Sequence, residues 1–216
     1  MRRLFRTIVW LLGILLALVL TLPYLLRPTL SFQQGPGGEV AYISLLRQLT
    51  SQAVSVARGN PVQLRLTEEE FSGLVSSAVL SDWEGPIPQP RLRTRLVDDN
   101  IRLEAIVPLD QMDQPWRLIR AVGLTLDLSP SVPPNGPPRF RILHAAIGRI
   151  PVSPGVIRLL GKTFAGQVPE LDPNEPALLL PMDDLVIAAL NRGLTVKQMQ
   201  VQGNTVLLTV SAHGLP

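Results

Sequence analysis

The chain contains no cysteine among its 216 residues, and it has only two histidines and two lysines. Without cysteine there are no disulfides, thiolate zinc sites or cysteine nucleophiles, and no lipidated cysteine anchor. Two isolated histidines, His144 and His213, provide no metal-binding cluster. The sequence therefore predicts no catalytic residues, no metal site and no cofactor, and we expect a protein that is not an enzyme.

Charge is absent from residues 7–26, a run made mostly of Leu, Ile and Val. About 20 such residues span a bilayer as a helix. Arg2, Arg3 and Arg6 precede the run, and the positive-inside rule then predicts a cytoplasmic N-terminus and an extracytoplasmic remainder. A cleaved signal peptide is the alternative, but its apolar core is usually only about 7–15 residues and ends at an Ala-x-Ala site, which is missing here. We predict an uncleaved, single-pass anchor in the cell membrane.

The basic excess of the chain belongs to this anchor. The formal net charge is +3, and four arginines flank the apolar run. The remaining 16 basic and 17 acidic residues nearly cancel. A neutral domain lacks the positive field that binding to a phosphate backbone requires, so we predict no nucleic-acid partner.

We divide the chain into a cytoplasmic tip and transmembrane anchor (1–27), a linker (28–38) and an extracytoplasmic α+β domain (39–216). Apolar spacing predicts a helix over 39–58, and Thr67 to Glu70 form a capping box for the next helix. Alternating segments predict a curved, mostly antiparallel sheet packed around or against amphipathic helices. Further helices are expected over 156–165 and 183–191. Acidic groups at Glu68–Glu70, Asp98–Asp99 and Asp183–Asp184 suit turns and helix starts.

An apolar ligand site is predicted where the segment 139–147 and the helix that follows meet. Apolar residues in 139–147 occupy both parities of the strand, so a curled sheet could leave a groove for an acyl chain. The alternative is that these side chains fill the core. The candidate ligand-binding residues are Phe140, Ile142, Leu143, Ile147, Val156, Leu159 and Leu160.

Arg91, Arg93 and Arg95 share one face of a predicted strand, with Arg102 across the hairpin. We assign the first three as headgroup-contacting residues, because a short linker would hold them near the bilayer. The alternative is a solvated strand face. His144 is interpreted as a sheet residue.

Two motifs follow the N-terminal apolar run: the helix start Leu66-Thr67-Glu68-Glu69-Glu70-Phe71, and the turn Ile147-Gly148-Arg149-Ile150-Pro151 before a short helix. In these motifs and in the order of its elements, the chain resembles the YpmS-like family of bacterial membrane-anchored extracytoplasmic proteins. The resemblance implies an outer domain of largely uncharacterised function, with a more distant likeness to lipid-binding envelope proteins in which a sheet wraps a helix. It implies no catalytic residues.

These observations lead to three hypotheses. The first is a bacterial envelope protein, held in the bilayer by residues 7–26, whose outer domain binds a lipid or another apolar ligand. The second is a non-enzymatic structural or regulatory module that binds a protein partner in an envelope complex. The third is an envelope enzyme, which would be favoured if His144 were exposed beside Glu104 or Asp127.

Overall fold

The computed structural model describes residues 21–22, 24–28, 32, 38–80, 88–110, 120–133, 139–164, 177–178 and 194–212. Residues 7–20 and 23 of the predicted anchor lie outside these ranges, as does the helix expected over 183–191. Within the described ranges, no helix has both the length and the hydropathy needed to cross a membrane.

From Gly38 onward the described residues form four helices and nine strands, and residues 21–22 and 24–26 are also helical. The helices are α1 (Gly38–Ser51), α2 (Ala53–Ala57), α3 (Glu68–Leu80) and α4 (Pro154–Phe164). The strands are β1 (Val62–Thr67), β2 (Arg91–Val97), β3 (Asn100–Pro108), β4 (Ala121–Ser131), β5 (Arg139–Ile147), β6 (Ile150–Val152), β7 (Ala177–Leu178), β8 (Leu194–Gln202) and β9 (Thr205–Ala212).

The strands form two antiparallel sheets rather than the one sheet expected from the sequence. The small sheet has the order β1-β9-β8, and the large sheet has the order β2-β3-β4-β5-β6 with β7 also paired to β5. The large sheet contains the β2–β3 hairpin that the sequence predicts. In the β2–β3 turn, Asp98 and Asp99 have φ values of 49° and 60°, which a tight hairpin turn requires. The α+β class and the antiparallel pairing are confirmed.

One hydrophobic core joins the two sheets and the helices. The core face of the large sheet contributes Leu96, Ile101 and Leu128, and the small sheet contributes alternate residues of β1 such as Leu64. Phe71 of α3 is fully buried between them. The opposite, outer face of the large sheet carries most of its charged side chains.

The capping box that starts α3 is confirmed. The backbone N–H of Thr67 donates to a carboxylate oxygen of Glu70 at 2.8 Å, and the N–H of Glu70 donates to the Thr67 hydroxyl at 3.3 Å. These bonds satisfy two groups at a helix start that have no partner within the helix.

The helix predicted over 39–58 is interrupted at Gln52. Of the apolar stripe that helical spacing predicts along it, Leu45 is buried and Leu49 and Val56 pack against the core. Tyr42 and Leu46 of the same stripe are exposed at its margin. The side-chain amide of Gln48 bonds both the N–H and the carbonyl of Arg65, at 2.8 and 2.7 Å. Because Arg65 lies on an edge strand, the glutamine satisfies part of that free edge and joins α1 to β1.

Candidate functional site

The segment that leaves the apolar run is docked on the large sheet. We call residues 24–32 the exit segment, of which 24–28 and 32 are described. The backbone N–H of Arg149, in the β5–β6 turn, donates to the carbonyl of Leu25 at 2.8 Å. The guanidinium of Arg149 stacks 4.4 Å from the centre of the Tyr24 ring and donates to the Tyr24 hydroxyl at 2.5 Å. The contact joins residues 125 positions apart.

Two glycines allow the exit segment to approach the backbone of the sheet. Gly148 has φ +59°, and a Cβ there would lie 2.7 Å from backbone carbons of Leu26 and still closer to the Leu25 carbonyl oxygen. A Cβ at Gly123 would lie 2.8 Å from the Cα of Pro28. Only glycine leaves room for a second backbone at such distances.

Farther along the exit segment, Phe32 covers an ion pair on the outer face. Its ring is buried, and the guanidinium of Arg93 lies 4.6 Å from the ring centre. Arg93 donates two hydrogen bonds to one carboxylate oxygen of Glu104, at 3.0 and 2.6 Å. Glu104 is 2% exposed. The carboxylate is therefore shielded from bulk solvent, and the arginine, stacked under the ring, supplies its charge partner.

A small pocket lies beneath the exit segment. It is lined by Pro28, Phe32, Glu104, Thr125 and Gly148, among others, and its interior is about the size of one water molecule. An acyl chain does not fit in a space of that size. Phe32 belongs to the predicted linker 28–38, so part of that linker packs on the domain.

The predicted headgroup-contacting arginines do share the outer face of β2, but they differ in availability. Arg91 and Arg95 are exposed, whereas Arg93 is committed to Glu104 and Phe32. Arg95 pairs in register with Arg102 on β3, as the hairpin predicts. Two like charges opposite each other are unfavourable, and Arg102 is neutralised from its other side.

The neutralising group is Asp127 on β4, the strand next to β3. Arg102 donates to both Asp127 oxygens, at 2.6 and 3.1 Å. This hydrogen-bonded pairing raises the pKa of Arg102 above its usual value, with burial acting in the opposite direction. Such a two-point pairing of a guanidinium with a carboxylate fixes the orientation of both side chains.

His144 meets the condition that would favour an enzyme. Its side chain is 54% exposed, and its Nδ1 lies 3.9 Å from a carboxylate oxygen of Asp127. That distance is longer than a hydrogen bond, and the same carboxylate already accepts two bonds from Arg102. Across the described part of the chain, no three His, Asp or Glu side chains form a metal cluster. In this arrangement Asp127 is engaged by Arg102 and does not hold His144 by a hydrogen bond.

The seven predicted ligand-binding residues are distributed over different surroundings. Phe140, which is 1% exposed, and Ile142 belong to the core, and Ile147 is half-buried. Leu143, Val156 and Leu159 are exposed. The side chain of Leu160 lies outside the described part. Among the described members of the set, no common groove is formed.

A β-bulge explains why both parities of β5 are apolar. In register with β4, Asp127 pairs with His144 and Leu128 pairs with Ile142, so Leu143 is the extra residue. An inserted residue shifts the alternation by one position. Phe140 and Ile142 before the bulge, and Ala145 after it, consequently all face the core. Apolar residues at both odd and even positions of β5, from which a groove was predicted, therefore result from this register shift.

Comparison of the chain with protein-family models, with curated proteins and with solved structures finds no match. Its candidate sites must therefore be argued from geometry. The exit segment and its two glycines were missed by sequence reasoning. The only local signal was the Gly148-Arg149 pair at a turn, which says nothing of a partner so distant in sequence.

Proposed function

We propose that this chain is a single-pass protein of the bacterial envelope whose outer domain is a non-enzymatic interaction module, held in a fixed orientation at the membrane. The proposal includes a transmembrane helix over residues 7–26, a cytoplasmic N-terminus and a curved large sheet packed against amphipathic helices. Membership of the YpmS-like family is part of the same proposal.

The docked exit segment is the observation that carries this function. A flexible linker would let the domain sample many orientations. Here a backbone hydrogen bond from Arg149 and the close packing at Gly148 and Gly123 join the sheet directly to the end of the apolar run. Such a connection restricts how far the domain can move from the anchor, but it fixes the orientation of the domain relative to the membrane. A fixed orientation suits a module that presents one surface to a neighbour in the envelope.

The surface we assign to the partner is the exposed face of α1 and α2. Val40, Ile43 and Val54 are 55%, 56% and 65% exposed, and Tyr42 and Leu46 lie beside them on α1. Apolar side chains grouped on the outside of a helix are typical of a docking surface for another protein. Ala41 and Leu45 on the opposite side are buried, so the fold itself does not need the outer face to be apolar.

Site-specific photo-crosslinking in native membranes tests this assignment. A benzophenone side chain at Ile43 of the full chain should give one discrete protein adduct, and Leu46→Asp should remove it by charging the contact. The same probe at the exposed Lys197 on β8 should give none. Equal labelling at the two positions, or labelling at Ile43 that survives the aspartate, would count against a specific partner.

Binding of a lipid or another apolar ligand is the second candidate, and α4 favours it. Val156 and Leu159 are exposed on this helix, while Ile157 between them is packed in the core. A photoactivatable fatty acid in membranes that contain the full chain should then label the α4 segment. Labelling confined to the anchor would exclude α4 as a ligand site.

A further inference from the structure

The exit segment identifies which end of the large sheet lies nearest the bilayer. In the sheet register, Arg91 pairs with Ile106, and Ile106 pairs with Gly123. The carbonyl of Gly123 accepts a hydrogen bond from the N–H of Gly148 at 2.6 Å. These four residues form a row across the sheet, and the exit segment contacts its two glycines. The row therefore marks the anchor-side end.

Four exposed arginines lie along this end. Arg91 begins β2, and Arg149 is in the β5–β6 turn. Arg120 lies just beyond the row, since its carbonyl accepts the N–H of Leu109 at 2.9 Å. Together with Arg27 of the exit segment these residues are exposed. We call them the rim: Arg27, Arg91, Arg120 and Arg149.

Little negative charge offsets the rim. Asp110 is the acidic residue beside it among those described, and none of Arg27, Arg91 and Arg120 forms an ion pair with a described residue. The far end of the sheet also carries arginines, Arg139 and Arg141 on β5, but there the acidic residues Asp98 and Asp99 of the β2–β3 turn accompany them.

Apolar side chains accompany the rim. Ile150, the residue after Arg149, is exposed, and so is Tyr24 at the start of the exit segment. Arginines together with an aromatic and an aliphatic side chain suit the headgroup layer of a bilayer. There the apolar parts of the side chains can contact hydrocarbon while the guanidinium and hydroxyl groups contact water and headgroups.

We propose that the rim binds the phosphate groups of anionic phospholipids in the bilayer that residues 7–26 enter. The inference rests on the anchor in the proposed function and adds a second contact with the same membrane. Guanidinium groups pair with phosphate oxygens in bidentate geometry. Each arginine at an anionic surface contributes about 1 kcal/mol, or about fivefold in binding. The rim would press this end of the domain onto the membrane and so fix its tilt.

The test uses the full chain in phosphatidylcholine vesicles, with and without phosphatidylglycerol. Because the chain has no cysteine, Ile150→Cys accepts a single fluorophore beside the rim. Nitroxide on the lipid headgroup should quench this label, and more strongly when phosphatidylglycerol is present. High salt should weaken the increase, since exposed charges are screened. A label at Asn204→Cys, in the β8–β9 turn, is the control for a position away from the rim, and phosphatidylglycerol should not increase its quenching.

Charge reversal separates the rim from overall charge. Arg91→Glu with Arg120→Glu should remove most of the increase caused by phosphatidylglycerol, and neither residue bonds the exit segment. Arg47→Glu with Arg58→Glu changes the net charge equally at exposed positions on and after the helices, and it should leave the increase unchanged. Equal effects of the two pairs, or equal quenching in both kinds of vesicle, would overturn the proposal.

Alkaline carbonate extraction of the same vesicles distinguishes the two levels of the argument. A chain that resists extraction but shows no response to phosphatidylglycerol refutes the rim and leaves the anchor intact. A chain that is washed off refutes the anchor in the proposed function, and the rim proposal falls with it. A chain that resists extraction and responds through Arg91 and Arg120 supports both.

Discussion

Replacing Gly148 with alanine should release the exit segment from the large sheet. The new Cβ would lie 2.7 Å from backbone carbons of Leu26 and closer still to the Leu25 carbonyl oxygen. Real Cβ atoms do not approach backbone so closely, and backbone cannot rotate away as a side chain can. One of the two chain segments must move, and the exit segment has the fewer contacts to lose.

The expected loss has two parts. A non-glycine residue at φ +59° costs about 1–2 kcal/mol. Releasing the exit segment also forfeits the hydrogen bond from Arg149 to Leu25, about 1 kcal/mol, and the exposed stacking of Arg149 on Tyr24, about 0.5–1 kcal/mol. We therefore expect the free energy of unfolding to fall by about 3 kcal/mol.

Gly59→Ala is the matched control. Gly59 has φ +73°, and a Cβ there would meet nothing within 4 Å. It should show only the backbone cost, about 1–2 kcal/mol. Denaturant unfolding of the full chain in detergent, followed by circular dichroism, measures both variants. Tyr24→Ala should add almost nothing to Gly148→Ala, because its contact is already lost. Equal losses for the two glycines, or full additivity with Tyr24→Ala, would refute a docked exit segment.

Three further changes test other parts of the structure by the same measurement. Glu104→Gln should cost about 2 kcal/mol, because it leaves a partly buried arginine without its counter-charge, and no loss would contradict the shielded ion pair. Phe140→Ala should cost about 3–5 kcal/mol as a core cavity, whereas Leu143→Ala should have almost no effect; similar losses would contradict the assigned bulge. Glu70→Ala should cost about 1 kcal/mol through loss of the capping box. Glu69→Ala, at an exposed position of the same turn, is the control and should leave the free energy of unfolding unchanged.

Local patterns in the sequence predicted the elements whose causes are themselves local. The capping box at Thr67 is a property of four consecutive residues, and it is present with the expected bonds. The turn at Asp98–Asp99 and the arginines on one face of β2 follow from strand alternation with a short turn. The α+β class follows because helical spacing and strand alternation of apolar residues both occur along the chain.

Long-range causes account for what the sequence could not predict. Helical spacing correctly places Leu45, Leu49 and Val56 against the core, but it does not show that Tyr42 and Leu46 at the margin of the same stripe are exposed. The bulge at Leu143 depends on the neighbouring strand and imitates a two-sided apolar strand. The residues of β5 are apolar as the sequence shows, but the face that each side chain takes depends on the register with β4.

The exit segment is the extreme case. Nothing in residues 24–32 indicates that they bind a turn 125 positions away. A composition containing Gly and Pro predicts a linker in general, and only the placement of Gly148 and Gly123 turns part of this linker into a docked segment. The physical reason is that two backbones can pack this closely only where one of them has no side chain. The sequence shows such a position as a glycine, but it does not show which segment packs against it.

The most direct test of the account is the distance between the exit segment and the far end of the domain in a bilayer. Spin labels at Arg27→Cys and Asn204→Cys can be attached selectively, because the chain has no other cysteine. Pulsed electron paramagnetic resonance of the full chain in nanodiscs should give one narrow distance distribution, which Gly148→Ala broadens and Gly59→Ala leaves narrow. A broad distribution in the unmutated background would contradict the claim that the domain is held in a fixed orientation on its anchor.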